Sequence, residues 1–203
     1  MKVLIACEFS GIVRSAFEKK GHDSWSCDIE PSKLKGNHIQ DNVLNHLDRG
    51  WDLMIAHPPC TYLCRASARW LYKNKELNMD RYKKGLQAKE FFLKLLNAPI
   101  NKIAIENPTP LNIFKLPKHT MSIQPYHFGE NFSKKTLLWL KNLPNLKPDK
   151  DEPMKKSNNY KPLLPSNTGG KKFGLKYSFS SITGKESSIT FKGIANAMAN
   201  QWG

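Results

Sequence analysis

A cysteine and a glutamate occupy positions in this sequence at which side chains commonly take part in chemistry. Cys60 follows a Pro-Pro dipeptide that comes directly after the apolar, strand-like run 53–56. Glu106 follows a second strand-like run, 103–105, and begins the tripeptide Glu-Asn-Pro. A thiol and a carboxylate at the ends of two strands can form a nucleophile and acid pair. Together the two residues suggest covalent attack on a pyrimidine ring.

Other interpretations of these residues are open. Cys60 can be a buried structural thiol, because free cysteine is among the most buried residue types. Cys60 and Cys64 are four residues apart, but no second pair of ligands accompanies them and only His57 lies near. The sequence therefore predicts no metal site. His57 is interpreted as a turn residue and Cys64 as a packed neighbour.

The elements that position these residues follow from the apolar pattern. Short apolar runs of strand length alternate with stretches whose apolar residues have helical spacing. This alternation predicts an α/β fold with a mostly parallel sheet and flanking helices. Strands are expected at 3–7, 24–27, 38–40, 51–56 and 102–106, with further candidates at 121–123 and 137–140. Helices are expected at 12–20, 82–97 and 191–202.

Acidic residues recur just past the expected strand ends. They are Glu8, Asp28, Asp41 and Glu106. In doubly wound sheets ligands bind outside the carboxyl ends of the strands, and an acid after the second strand commonly binds a ribose hydroxyl. The first half of the chain is therefore expected to bind a nucleoside cofactor in the Rossmann manner. Asp28 and Asp41 can instead be helix caps.

The charge of the chain is uneven. Residues 1–60 contain 7 Lys+Arg and 8 Asp+Glu, whereas residues 61–203 contain 25 and 9, a net of +16. This asymmetry favours a polyanionic partner such as DNA, with a general lysine enrichment as the alternative. No apolar run reaches the length of a membrane span, and four cysteines without a paired framework favour a reducing, cytoplasmic setting.

Composition divides the chain into three expected parts. Residues 1–143 form a core, and residues 189–203 form a helix that returns to it. Residues 144–188 are rich in Pro, Lys, Asn, Ser and Gly without periodicity, which predicts a small, basic, loop-rich lobe. The oligomeric state is not predicted.

Four segments resemble motifs of the C5-cytosine DNA methyltransferase family, in the family's linear order. Phe9-Ser10-Gly11 resembles the first cofactor motif, Phe-x-Gly-x-Gly, and the Pro-Pro-Cys at 58–60 resembles the nucleophile motif. The segment 106–108 is similar to the Glu-Asn-Val motif, and 193–202 resembles the last helix. The likeness is to a compact, phage-like member with a reduced target-recognition domain, and it implies DNA modification, with or without a restriction partner.

The resemblance implies a fold and a reaction. The fold is the Rossmann-like fold of methyltransferases that use S-adenosylmethionine. Cys60 adds to C6 of cytosine, Glu106 contacts N3 and the exocyclic amine, and C5 then accepts the methyl group. The target base is flipped out of the DNA.

The resemblance also assigns the binding residues. Those expected to bind the cofactor are Glu8, Phe9, Gly11, Asp28, Ile29, Asp41 and Pro58. Those expected to bind the substrate are Pro59, Asn107, Gln124, Lys134 and Lys135, of which the last three take the place of the family's Gln-x-Arg-x-Arg motif. Val13 replaces the second glycine of the first motif.

Three other functions are compatible with parts of this pattern. Amino-directed DNA methyltransferases carry Asp/Asn-Pro-Pro before an aromatic residue, whereas His57 and Cys60 stand at those two positions. A basic protein that binds DNA or senses the cofactor without catalysis would fit the altered first motif. Methylation of single-stranded nucleic acid or of a free nucleotide would fit the small lobe.

Overall fold

The computed structural model describes residues 1–130, 134–148 and 189–203. Within these ranges the chain forms nine strands and three α-helices. The strands are β1 (Lys2–Ala6), β2 (Asp23–Asp28), β3 (His38–Gln40), β4 (Leu53–Ala56), β5 (Tyr72–Lys73), β6 (Glu76–Leu77), β7 (Lys102–Asn107), β8 (Met121–Ile123) and β9 (Thr136–Lys141). The helices are α1 (Ile12–Glu18), α2 (Met79–Leu96) and α3 (Lys192–Trp202).

Seven of the strands form one sheet in the order β3-β2-β1-β4-β7-β9-β8. The five strands from β3 to β7 are mutually parallel, and β9 runs antiparallel to both of its neighbours. The order of the first five matches that of doubly wound, Rossmann-like sheets. The predicted α/β fold, with a mostly parallel sheet and flanking helices, is confirmed. The hairpin of β5 and β6 stands apart from this sheet.

The sheet is buried on both faces, as parallel sheets require. Alternate residues of the central strand β1 point to opposite faces: Val3 and Ile5 pack in the cluster that contains α1 and α3, whereas Leu4 packs in the cluster under α2. Phe92 of α2 meets Trp139 of β9 edge to face, with ring centroids 5.0 Å apart. Burying an aromatic side chain of this size stabilises a fold by about 1.5–3 kcal/mol.

Several element ends differ from the sequence prediction. The first helix ends at Glu18 rather than at residue 20, and Gly21 follows it with a φ of 81°. α2 begins at Met79, three residues earlier than expected, because the side chain of Asn78 accepts a hydrogen bond from the Arg81 amide at 3.1 Å. The hairpin of β5 and β6 was not predicted. Residues 149–188, most of the predicted lobe, lie outside the described residues.

No helix of the described residues is long and apolar enough to cross a membrane.

The parallel strands bring their carboxyl ends to one edge of the sheet. Ala6 is paired with Ala56, and Ala56 with Ile105, so the residues that follow β1, β4 and β7 are neighbours. The chain direction across the sheet reverses between β1 and β4, which is the position where doubly wound sheets bind their ligands. On one side of this position, Cys60 follows β4 and Glu106 is the next-to-last residue of β7.

Candidate active site

The backbone turns sharply where β1 ends. Cys7 has a φ of 57°, a left-handed conformation that is uncommon for a residue with a side chain. Such backbone strain costs on the order of 1–3 kcal/mol and concentrates at functional sites. Beside it, the His57 amide donates to the Ala6 carbonyl at 2.9 Å. The two segments that flank the ligand-binding position of the fold are therefore joined directly.

The loop that carries Cys60 is held at three points. Asn107 is buried, and its Nδ2 donates to the Pro58 carbonyl at 2.8 Å. The amide of Cys64 donates to the Cys60 carbonyl at 3.0 Å, which closes a helical turn. Arg81 of α2 donates through Nη2 to the Thr61 carbonyl at 2.9 Å. These contacts fix a half-buried thiol at the end of β4.

The surroundings of the Cys60 thiol raise its pKa and so favour the protonated form. The thiol forms a hydrogen bond with the Cys64 thiol, and this bond, burial and the nearby Glu106 charge all raise the pKa of Cys60, while Lys134 opposes them. The same bond, together with hydrogen bonds from Ser67 and the backbone, lowers the pKa of Cys64. The contact between the two thiols therefore acts in opposite directions on their pKa values.

Glu106 lies at the end of β7 and forms an ion pair with His57. Its Oε2 is 3.1 Å from His57 Nδ1, and the two side chains are only 15% and 7% exposed. Burial acts to raise the pKa of Glu106, but the hydrogen bond and charge of His57 and the charge of Lys134 outweigh it and lower the pKa. Glu106 is therefore an ionised, partly buried carboxylate near a thiol.

His57 is more than the turn residue that the sequence suggested. Thr190, just before α3, places its Oγ1 3.5 Å from His57 Nδ1. The other ring nitrogen of His57, Nε2, is buried without a hydrogen-bond partner within the described residues. The register could have revealed this role. Because Ala56 is opposite Ile105, the residues that follow them, His57 and Glu106, must be adjacent.

The first-motif loop is organised by Glu8. Its buried carboxylate accepts from the amide of Val13 at 2.7 Å and from that of Arg14 at 3.2 Å, so it caps α1. Gly11, at the N-cap, has a φ of 73°, and an added Cβ would be 2.9 Å from Leu34 Cβ. The N-terminus of α1 therefore holds an anion from the chain itself. The predicted cofactor contact of Glu8 remains a prediction.

Replacing Glu8 by alanine is expected to lower the free energy of unfolding by about 1–3 kcal/mol, because two buried amides lose their acceptor. Urea denaturation followed by circular dichroism measures this change. Asp48→Ala, at an exposed position, is the control. Equal unfolding midpoints for the two variants would contradict the capping role.

The other residues predicted to bind the cofactor differ in how far their side chains are already engaged in hydrogen bonds. Asp28 uses Oδ1 to accept from the Glu30 amide at 2.9 Å, and its Oδ2 has no hydrogen bond within the described part of the chain. Ile29 is 74% exposed. Asp41, by contrast, accepts from the Asn42 amide at 2.7 Å and lies 2.8 Å from His46 Nε2.

The cap of the 3₁₀ turn Val43–His46 is Asn42, whose side chain accepts from the Leu44 amide at 3.1 Å, and Asp41 precedes this cap. The hydrogen bonds to Asp41, first that from the Asn42 amide, lower the pKa of the Asp41 carboxyl. Asp41 is thus not the cap residue that the alternative interpretation suggested, and its contact with the cofactor remains a prediction. Phe9 is half-buried, and Lys33 lies over its ring, 5.2 Å from Nζ to the centroid.

The predicted substrate residues fall into two groups. Lys134 acts electrostatically on both Cys60 and Glu106, so it lies at the site. Its Nζ is also 5.9 Å from the centroid of the Phe191 ring. Pro59 and Lys135 are exposed, and Gln124 Oε1 is buried without a hydrogen-bond partner among the described residues.

No group of three or more metal-ligating side chains occurs within residues 1–130, 134–148 and 189–203.

Comparison with known proteins gives little beyond the fold. No family model matches this chain, and no curated protein matches it. Among solved structures, a mutant of DNMT2 from Spodoptera frugiperda is similar over 90% of this chain, with 16% identity and a TM-score of 0.37. The chain spans 59% of the length of that protein. A likeness this distant carries no functional argument, so function is inferred from the site itself.

Proposed function

We propose that this protein transfers a methyl group from S-adenosylmethionine to C5 of cytosine in DNA. One observation carries the proposal: a fixed thiol, Cys60, lies near a partly buried, ionised carboxylate, Glu106, at the ends of adjacent parallel strands. A protein that only binds DNA has no need for both groups. The order and types of the four motif segments, described above, support the same assignment.

The chemistry explains why a thiol is needed. Cytosine C5 is a poor nucleophile until the Cys60 sulfur forms a bond to C6 and turns the ring into an enamine. The thiol loses its proton to solvent for this step, and the positive charge of Lys134 favours the resulting thiolate. Once C5 is methylated, its proton leaves and the bond from C6 to Cys60 breaks.

Glu106 and His57 act on the other side of the ring. The carboxylate accepts a hydrogen bond from the exocyclic amine next to N3, and its hydrogen-bond contact with His57 holds it in place. Charge that develops on the ring is thereby neutralised by groups already in place, which is a large source of rate enhancement. Lys134 adds positive charge on the same side.

The residues predicted to bind the cofactor suit a nucleoside bound where the chain direction across the sheet reverses, between β1 and β4. Asp28 has an unused carboxylate oxygen for a ribose hydroxyl, and the exposed Ile29 beside it offers an apolar surface for the adenine ring. Phe9 and Gly11 line the place of the amino-acid part, and Pro58 closes it from β4. When bound, S-adenosylmethionine supplies an electrophilic methyl group.

Replacing Asp28 by asparagine is expected to weaken S-adenosylmethionine binding about tenfold, since a hydrogen bond to a charged group is lost. Asparagine can still accept from the Glu30 amide, so the turn is retained. Isothermal titration calorimetry measures the change. Asp23→Asn, at the opposite end of the same strand, is the matched control. Equal affinity in the two variants would remove Asp28 from the cofactor site.

The proposal is tested by methyl transfer from labelled S-adenosylmethionine to single- and double-stranded DNA, with the product bases digested and identified. We expect 5-methylcytosine. Methylation of an exocyclic amine instead would assign the chain to the amino-directed class. Cofactor and DNA binding without transfer to any substrate would favour a binding protein.

All four cysteines are free thiols, which supports the proposed cytoplasmic setting.

A further inference from the structure

A surface beside the Cys60 loop combines exposed aromatic rings with cations. Trp70 is 58% exposed and Tyr72 is 49% exposed, although side chains of this size are usually covered. Both belong to the segment between Cys60 and α2 that no motif explains. We call this surface the aromatic–basic face; it consists of Tyr62, Arg69, Trp70, Tyr72, Arg81 and Lys84.

The rings and cations of the face are paired. The Arg69 guanidinium carbon lies 4.9 Å from the centroid of the Trp70 ring. The Arg81 guanidinium carbon lies 4.9 Å from the Tyr62 ring, and Lys84 Nζ lies 5.8 Å from it. A cleft of about 270 Å³ separates the two groups; its lining comprises Tyr62, Trp70, Arg81, Lys84, Asn78 and Asp80. Two aromatic rings and two cations, together with the Asp80 carboxylate, thus line one depression.

The face is linked directly to the proposed nucleophile. Arg81, whose guanidinium covers Tyr62, also donates to the carbonyl of Thr61, the residue after Cys60. A molecule that displaces or orders Arg81 therefore acts on the loop that holds the thiol. The position of the face fits the part of a substrate that adjoins the reacting base.

The side chains of the face indicate which kind of molecule it binds. Arginine and lysine bind phosphates, and aromatic rings stack on bases whose faces are uncovered. In a duplex those faces are covered by neighbouring bases, so exposed tryptophan and tyrosine rings suit an unpaired strand. We propose that the aromatic–basic face binds single-stranded nucleic acid next to the cytosine that reacts. This placement rests on the proposed function, whereas binding to the face does not require it.

The test uses labelled oligo(dT), which contains no cytosine and therefore reports on the face and not on the reaction. Trp70→Ala is expected to weaken binding about tenfold, the loss typical of one stacked base. Arg81→Gln is expected to reduce the slope of log K against log salt by about 0.7, the value for one phosphate contact on a single strand. Fluorescence anisotropy at several salt concentrations measures both.

Intrinsic fluorescence gives a second readout. Of the five tryptophans, Trp70 is the one with a largely exposed side chain, whereas Trp51, Trp139 and Trp202 are buried. We expect oligo(dT) to quench tryptophan emission, and Trp70→Phe to abolish most of this quenching while retaining a ring that stacks.

Leu86→Ala is the matched control, because Leu86 is 41% exposed on α2 but does not belong to the face. Thermal unfolding confirms that each variant is folded. Oligo(dT) or oligo(rU) binding that depends on Trp70 supports the proposal, and their comparison identifies the strand type. Binding unaffected by Trp70→Ala, or duplex binding with the same dependence on Trp70, would overturn it. Because Cys60→Ser should bind oligo(dT) normally, failure of the reaction and failure of the face are separable.

Discussion

Replacing Cys60 by serine is expected to reduce methyl transfer by a factor of about 10⁴ or more, the scale seen when a covalent nucleophile is removed. Serine is nearly the same size, but its hydroxyl is a far weaker nucleophile toward C6 than a thiolate. Binding of S-adenosylmethionine should be unchanged, because Cys60 is not among the residues that hold it. Single-turnover transfer of labelled methyl groups, with calorimetry on the same preparations, measures both quantities.

Cys27→Ser is the matched control for this experiment. Cys27 is buried in β2, and its sulfur lies 3.4 Å from the Asp41 carbonyl, a contact that a serine hydroxyl can reproduce. Its variant should transfer methyl groups at the rate of the native protein. Full activity of the Cys60 variant would remove this residue as nucleophile and with it the proposed mechanism.

Replacing Glu106 by glutamine is expected to lower the rate of transfer by about 10²–10³, the loss seen when one preorganised polar contact to a developing charge is removed. Glutamine keeps the shape of the side chain but cannot pair with His57 or neutralise charge at N3. Glu90→Gln, on the surface of α2 and in an exposed pair with Lys94, is the control. A native rate for the Glu106 variant is the result that would refute the acid role.

Two readouts distinguish a catalytic from a structural effect at Glu106. A folded-state pKa held below its ordinary value means that the charge of Glu106 stabilises the protein above the unfolded pKa, and that this contribution disappears as pH falls through the folded pKa. The glutamine variant should therefore lose less stability on acidification.

His57→Gln should change the pH profile of transfer while leaving cofactor affinity intact, since His57 acts through Glu106 and does not contact the cofactor.

The sequence predicted the framework of the site better than its internal contacts. Apolar runs marked the strands, and the residues past their ends had to share one edge because the strands are parallel. The ion pair of His57 with Glu106 depends instead on which strands are neighbours, since β4 and β7 are separated along the chain by α2 and the hairpin. No periodicity in a single sequence carries that information.

The direction in which a side chain points was the other feature that the sequence did not predict. Glu8 and Asp28 were both expected just past a strand, yet the Glu8 carboxylate turns back to cap α1, whereas Asp28 is the last residue of β2 and keeps one oxygen free. The difference follows from the left-handed turns at Cys7 and Gly11, which bring the start of α1 over Glu8. The sequence did not reveal the exposed rings of the aromatic–basic face. Residues 65–77 form only a short 3₁₀ helix and a hairpin whose strands have two residues each, and elements this short show no periodicity of apolar residues.

The chain is tied to the core on both sides of residues 149–188. On one side, the Lys147 amide and carbonyl bond to the side chain of Gln201 at 2.9 and 2.7 Å; on the other, the Gly193 amide donates to Glu130 at 3.0 Å. These anchoring contacts involve no residue of 149–188 and are made by the core and the two flanking segments alone. We therefore expect substitutions within residues 149–188 to leave both anchors intact, and Cys60, His57 and Glu106 in place.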